Sequence, residues 1–156
     1  MHHNRPETRI MATPGAIIIR QALLGDAPGF PNLMTELGYP ATEQFARERL
    51  AQLASGAEDV VFIADCAGEI GGFLSFHVIP LFHVEGNVGR ITALVVSSRF
   101  RRCGIGQKLV TAAEEFAWAH GCVRVEITSG DHRADAHAFY EAVGYRQETR
   151  RFLKSK

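Results

Sequence analysis

Between Arg99 and Lys108 the sequence RFRRCGIGQK sets three arginines within four residues, just ahead of Gly104 and Gly106. A glycine-bearing turn that opens a helix presents several backbone N–H groups and the positive end of the helix dipole, which suits an anion. Arg99, Arg101 and Arg102 add charge at the same place. Two phosphate-binding patterns fail on spacing. A Walker A loop needs a lysine directly after its last glycine, whereas Gln107 follows Gly106 and Leu109 follows Lys108. A dinucleotide fingerprint needs a small third residue, and that position is Leu109. Upstream, His77, His83 and Glu85 lie in or beside one loop; a histidine there can accept a proton near neutral pH, although each also fits an ordinary surface or packing role. Cys66, Cys103 and Cys122 are odd in number and lack Cys-x-x-Cys spacing, so neither a disulfide framework nor a zinc site is expected.

Two stretches together resemble the GNAT superfamily of N-acetyltransferases. LVVSSRFRRCGIG, from Leu94 to Gly106, is similar to its acyl-CoA signature through Arg101, Gly104 and Gly106. AHAFYEAVGY, from Ala136 to Tyr145, is similar to its second motif, an alanine-rich helix with Phe-Tyr and a Gly-aromatic pair. The resemblance implies acetyl-CoA as cosubstrate. It assigns the backbone of Leu94, Val95 and Val96 to the pantetheine arm, and Arg101, Arg102, Cys103, Gly104, Ile105, Gly106 and Gln107 to the pyrophosphate. Tyr140 becomes the general acid, since a phenol with a pKa of about 10 can protonate a departing thiolate of similar basicity. Many relatives carry a glutamate on the preceding strand, where this chain has Arg90, Thr92 and Ala93, so His77, His83 and Glu85 remain the candidates for the base. Relatives also place an asparagine seven or ten residues before the tyrosine. Those positions are Arg133 and Gly130, and Arg133 becomes a candidate contact to a CoA phosphate or an acidic acceptor.

The implied reaction is direct attack by a primary amine, with Cys103 inside the pyrophosphate loop and away from the thioester. The C-terminal half is similar to acetyltransferases of small amines, such as those acting on aminoalkylphosphonates or aminoglycosides. The alternatives are a non-catalytic acyl-CoA sensor and a protein N-terminal or lysine acetyltransferase. Many relatives dimerise through strands near the end of the sheet, which makes a homodimer through Tyr145 to Leu153 an expectation.

The elements that must position these residues follow from periodicity. Ala16 to Gln21 reads as a first strand, and a short helical region ends near Tyr39. Thr42 caps a helix whose Ala46, Leu50 and Leu53 share one stripe. Val60 to Asp65 and Ile70 to Val78 read as a hairpin, Arg90 to Val96 as the strand leading into the glycine turn. A helix from Ile105 buries Leu109, Ala112, Ala113 and Phe116; Val123 to Thr128 is a strand; Asp131 opens a last helix capped by Gly144; and Tyr145 to Leu153 is a final strand. This order describes an α/β (α+β) domain over residues 16–156, a mixed and mainly antiparallel sheet flanked by helices, after a tail at 1–15. With 17 basic and 17 acidic residues among 156, the net charge of zero offers no general attraction to nucleic acid or anionic membrane. The lack of a long apolar run and of a signal-peptide pattern makes the cytoplasm the expected location.

Overall fold

The computed structural model describes residues 15–128, 134–148 and 151–156. Five strands form one sheet in sequential order: β1 (Ile17–Gln21), β2 (Asp59–Cys66), β3 (Glu69–Pro80), β4 (Asn87–Val96) and β5 (Cys122–Ile127). The first four are antiparallel neighbours, and β5 joins β4 in parallel through a helical crossover. The β2–β3 hairpin turns at Ala67 and Gly68, both with left-handed backbone, φ 55° and 91°, and Asp65 Oδ1 accepts the Gly68 N–H at 2.8 Å.

Helices cover both faces because alternate residues of the central strands are apolar on both. α3 (Ile105–Ala119) lays Ile105, Leu109, Val110, Ala113 and Ala117 on Val60, Phe62, Leu74, Phe76 and Ile91. Phe76 fits only because Gly89 has no side chain; a Cβ there would stand 2.3 Å from Phe76 Cζ. On the other face, α1 (Phe30–Leu37) and α2 (Glu43–Ala54) pack Phe30, Leu33, Ala46 and Leu50 on Val61, Ile63, Phe73 and Val95. The Phe30 and Phe73 rings are 5.0 Å apart. Thr42 caps α2 by accepting from Phe45 N–H at 3.1 Å. A 3-10 turn at Leu24–Gly29 precedes α1 and is clamped to β1, since Arg20 bonds Asp26 at 2.8 Å and Asp65 at 3.2 Å. No described helix is long and apolar enough to cross a membrane.

α4 (Ala134–Ala142) closes the described elements. The expected strand over Tyr145 to Leu153 is corrected: residues 145–148 and 151–156 belong to no strand, and 149–150 lie outside the described residues. Arg146, Gln147 and Glu148 are exposed in succession, which leaves no alternate face for a strand to bury. The sheet edges formed by described residues are β1 and β5. The expected tail lies, apart from Gly15, outside the described residues.

Candidate active site

β4 outruns its parallel neighbour. Pairing with β5 runs from Asn87 opposite Cys122 to Ile91 opposite Ile127 and ends there. From Thr92 to Val96, β4 keeps β3 on one side only. No strand among the described residues covers the other edge, so its backbone N–H and C=O groups can pair with an extended, amide-bearing ligand. A bulge marks the parting point: Ser75 pairs with Ala93 and Phe76 with Ile91, leaving Thr92 as the extra, exposed residue.

Beyond Val96 the chain turns sharply. The Ser97 N–H donates to Gly71 O at 2.8 Å, and Ser97 Oγ accepts from Arg99 N–H at 3.3 Å. Glu36, near the end of α1, accepts from both the N–H and the hydroxyl of Ser98 at 2.9 Å, fixing the turn to the helical layer. Arg99 is held in an ion pair by Glu69. Arg101 and Arg102 are exposed and make no ion pair among the described residues. Arg102 and Gly104 take left-handed backbone, φ 66° and 74°, and no side chain caps α3 at Gly104. The helix ladder opens with Lys108 N–H to Gly104 O at 3.1 Å, so the N–H groups of Ile105, Gly106 and Gln107 have no intrahelical acceptor. Amides without an intrahelical acceptor, beside two guanidinium groups that make no ion pair among the described residues, give the end of β4 a surface whose chemistry suits an anion.

α4 borders this cleft because Gly106 lets it approach: a Cβ at 106 would lie 3.1 Å from Phe139 Cζ and 3.7 Å from Val96 Cγ2. Tyr140, half-buried, follows Phe139, with ring centroids 5.5 Å from Phe139 and 6.3 Å from Tyr145. The Tyr145 hydroxyl is buried without a hydrogen-bond partner among the described residues. Burial, then the charges of Glu114 and Tyr140, hold its phenol above the ordinary range.

The three proton-acceptor candidates do not converge. His77 lies on β3 beside the bulge. Its Nδ1 is 2.9 Å from Asp59 Oδ1, and its Nε2 is 2.9 Å from Thr92 Oγ1 and 3.3 Å from Ser75 Oγ. In register, Asp59, His77, Arg90 and Glu126 form one row across β2, β3, β4 and β5. Arg90 gives a hydrogen bond to Glu126 at 2.9 Å, Arg124 takes the other carboxylate oxygen at 2.9 Å, and Arg90 chiefly holds that carboxyl below its ordinary range. His83 and Glu85 instead occupy the loop before Asn87, at the opposite end of β4. At about 3.3 Å per residue, Asn87 is roughly 17 Å from Thr92, so the structure brings neither to the cleft. Arg133 lies outside the described residues. Cys103 sits half-buried in the loop, with Sγ 3.7 Å from Arg101 O.

Residues 28–145 match the model of the acetyltransferase (GNAT) family. The chain belongs to the GNAT acetyltransferase family, and it is an acetyltransferase. It is 38% identical over 88 residues to an aminoalkylphosphonate N-acetyltransferase of Salmonella typhimurium, a match spanning 56% of this chain and 57% of that one. It is 31% identical over 141 residues to an aminoglycoside N(6')-acetyltransferase type 1 of Stenotrophomonas maltophilia, covering 86% and 89%. A solved GNAT family acetyltransferase of Staphylococcus aureus superimposes with a TM-score of 0.78 at 25% identity, over 91% of this chain and all of that one. In this GNAT acetyltransferase the motif residues from Leu94 to Gln107 line the open strand and the uncapped helix. Asp59, Ser75, Glu36 and the Thr92 hydroxyl escaped the motif reading. Their signal lies in strand register and in contacts between distant segments, and no spacing along the chain exposes it.

Proposed function

We propose that the chain transfers an acetyl group from acetyl-CoA to a primary amine of a small molecule by direct attack. The observation that carries the reading is the open edge of β4, Thr92 to Val96, running into the arginine-flanked, uncapped start of α3. The edge matches a pantetheine arm, whose amides pair as a strand would, and the loop from Arg101 to Gln107 matches a pyrophosphate. Bound acetyl-CoA supplies the activated acyl carbon. An N–H of β4 near Val95 polarises the acyl oxygen. Tyr140 donates a proton to the leaving sulfur. His77, beside the bulge, is the base on which the proton lost by the amine finally rests. This role follows from its position among the three candidates, since the other two lie far along the strand. Curated relatives named for aminoalkylphosphonates and aminoglycosides support a small-molecule acceptor.

The test is a panel of aminoalkylphosphonates, amino sugars, polyamines and a lysine peptide, incubated with acetyl-CoA and analysed by mass spectrometry. The reading expects acetylated product from a small amine with one CoA released per product. Preferred acetylation of the peptide would move the acceptor class to protein. Binding of acetyl-CoA without any product would leave a sensor in place of an enzyme.

A further inference from the structure

We infer that Thr92, His77 and Asp59 form a proton relay in which the Thr92 hydroxyl, on the exposed bulge of β4, takes the proton of the attacking amine and passes its own to His77. The inference rests on the acetyl-transfer reading and assigns that reaction two residues the motifs do not mark.

With His77 neutral, the Asp59 carboxylate sets the direction of the hydrogen bonds. His77 Nδ1 faces a carboxylate oxygen of Asp59 at 2.9 Å, and a carboxylate only accepts. Nδ1 therefore carries the proton, which leaves the Nε2 lone pair to accept from Thr92 Oγ1 at 2.9 Å. A hydroxyl has one donor and two acceptor positions. With its proton turned to Nε2 and not to Ser75 O, which lies 3.5 Å away, the exposed Thr92 hydroxyl presents its oxygen lone pairs to solvent. The amine reaches Thr92 before it reaches His77, because Nε2 is already occupied by Thr92, with Ser75 Oγ at 3.3 Å.

The step balances without a co-reactant. As the amine nitrogen bonds to the acyl carbon, its N–H bond breaks and the electron pair stays on nitrogen. That proton joins Thr92 Oγ1, the original hydroxyl proton moves to Nε2, and the resulting imidazolium donates to Asp59 and Thr92. Among the described residues the ring meets Asp59 from β2, Ser75 from β3 and Thr92 from β4, while Arg90, its register neighbour on β4, is turned to Glu126 of β5. Arg90 is thereby neutralised by a carboxylate beside the ring that gains charge. Thr92 touches the substrate and is a catalytic residue, whereas Asp59 is a positioning residue.

The test uses the full chain with acetyl-CoA and the best amine of the panel. Thr92→Ser, which retains a hydroxyl, recovers most of the turnover that Thr92→Val loses. Thr92→Val keeps shape, strand propensity and acetyl-CoA affinity, and lowers kcat by about 10- to 100-fold, within the range that proton transfer supplies. Asp59→Asn lowers kcat, leaves the KM for acetyl-CoA unchanged and shifts the acidic limb of the pH profile, and Asp59→Glu recovers part of the loss. Long-range proton–nitrogen correlation of the labelled protein, with His77 assigned through His77→Gln, reads the ring without turnover and should find the proton on Nδ1. Full turnover in Thr92→Val, or a proton resident on Nε2 in the wild type, overturns the relay alone. A wild type that binds acetyl-CoA yet acetylates no amine overturns the acetyl-transfer reading and the relay with it.

Discussion

Tyr140 and Tyr145 share one ring cluster on and beside α4, yet their hydroxyls are in different circumstances. Tyr140 belongs to the helix that borders the open strand, and Phe at 140 keeps the ring while deleting the donor. Tyr140→Phe should preserve acetyl-CoA affinity by calorimetric titration and lower turnover by about 10²- to 10⁴-fold. The alkaline limb of the rate profile should go with it. Tyr145 behaves oppositely, because its hydroxyl is buried with no partner among the described residues. Tyr145→Phe should leave turnover intact and keep or raise stability, by up to about 1 kcal/mol, in denaturant titrations. A phenol whose proton is held more tightly in the folded than in the unfolded state stabilises fully below the unfolded pKa, about 10, and loses that contribution as pH rises beyond it. The mutant should therefore show a smaller alkaline loss of stability than the wild type. The place of Tyr140 on α4 was legible because it stands inside a motif, and the role proposed for it rests on that motif. Tyr145 stood in the same motif, and only packing separates their roles.

At the scale of elements, single extra residues decide what meets what. A straight count back from the Cys66–Glu69 pair would set Asp59 opposite Phe76, on the face buried by α3; the bulge at Gly71 moves it opposite His77. The second bulge, at Thr92, turns a hydroxyl toward the same histidine. Bulges leave no periodic trace, so the sequence yields the strands and their order but hides the Asp59–His77–Thr92 cluster. The helix stripes and the glycine turn were readable because repeating apolar spacing and positive φ constrain residue type directly. The last strand was misread because RQETRR has polar residues in an unbroken run, and only pairing could have decided its state. Gly106 likewise gains a meaning from packing. Its missing Cβ makes room for Phe139, so Gly106→Val should push α4 away, costing about 1–3 kcal/mol in thermal unfolding and lowering turnover. Adding Phe139→Leu should restore part of the stability. Gly104 has open space around it, and Gly104→Ala should cost about 1–2 kcal/mol through its left-handed backbone alone.

Across the whole molecule, two helical layers grip one sheet, and the edge strand β1 is tied to the first turn by Arg20, Asp26 and Asp65. The Arg20 hydrogen bonds hold the Asp26 carboxyl below the ordinary carboxylate range. A depressed carboxyl stabilises the fold above its unfolded pKa, about 3.9, and the contribution fades as pH falls through the lower folded value. Asp26→Asn should cost about 1–2 kcal/mol at neutral pH and flatten the decline of the melting temperature below about pH 4. The cleft is built where this sheet opens, between the end of β4 and the start of α3, and the central claim is that the opening binds acetyl-CoA and delivers its acetyl group to a small amine. The most direct measurement is simultaneous quantification of released CoA and acetylated amine across the amine panel, by thiol titration and mass spectrometry. Equal amounts of both, saturable in the amine and greatly reduced in Tyr140→Phe, are the predicted result. Acetyl-CoA binding with neither product above the protein-free control would contradict the account.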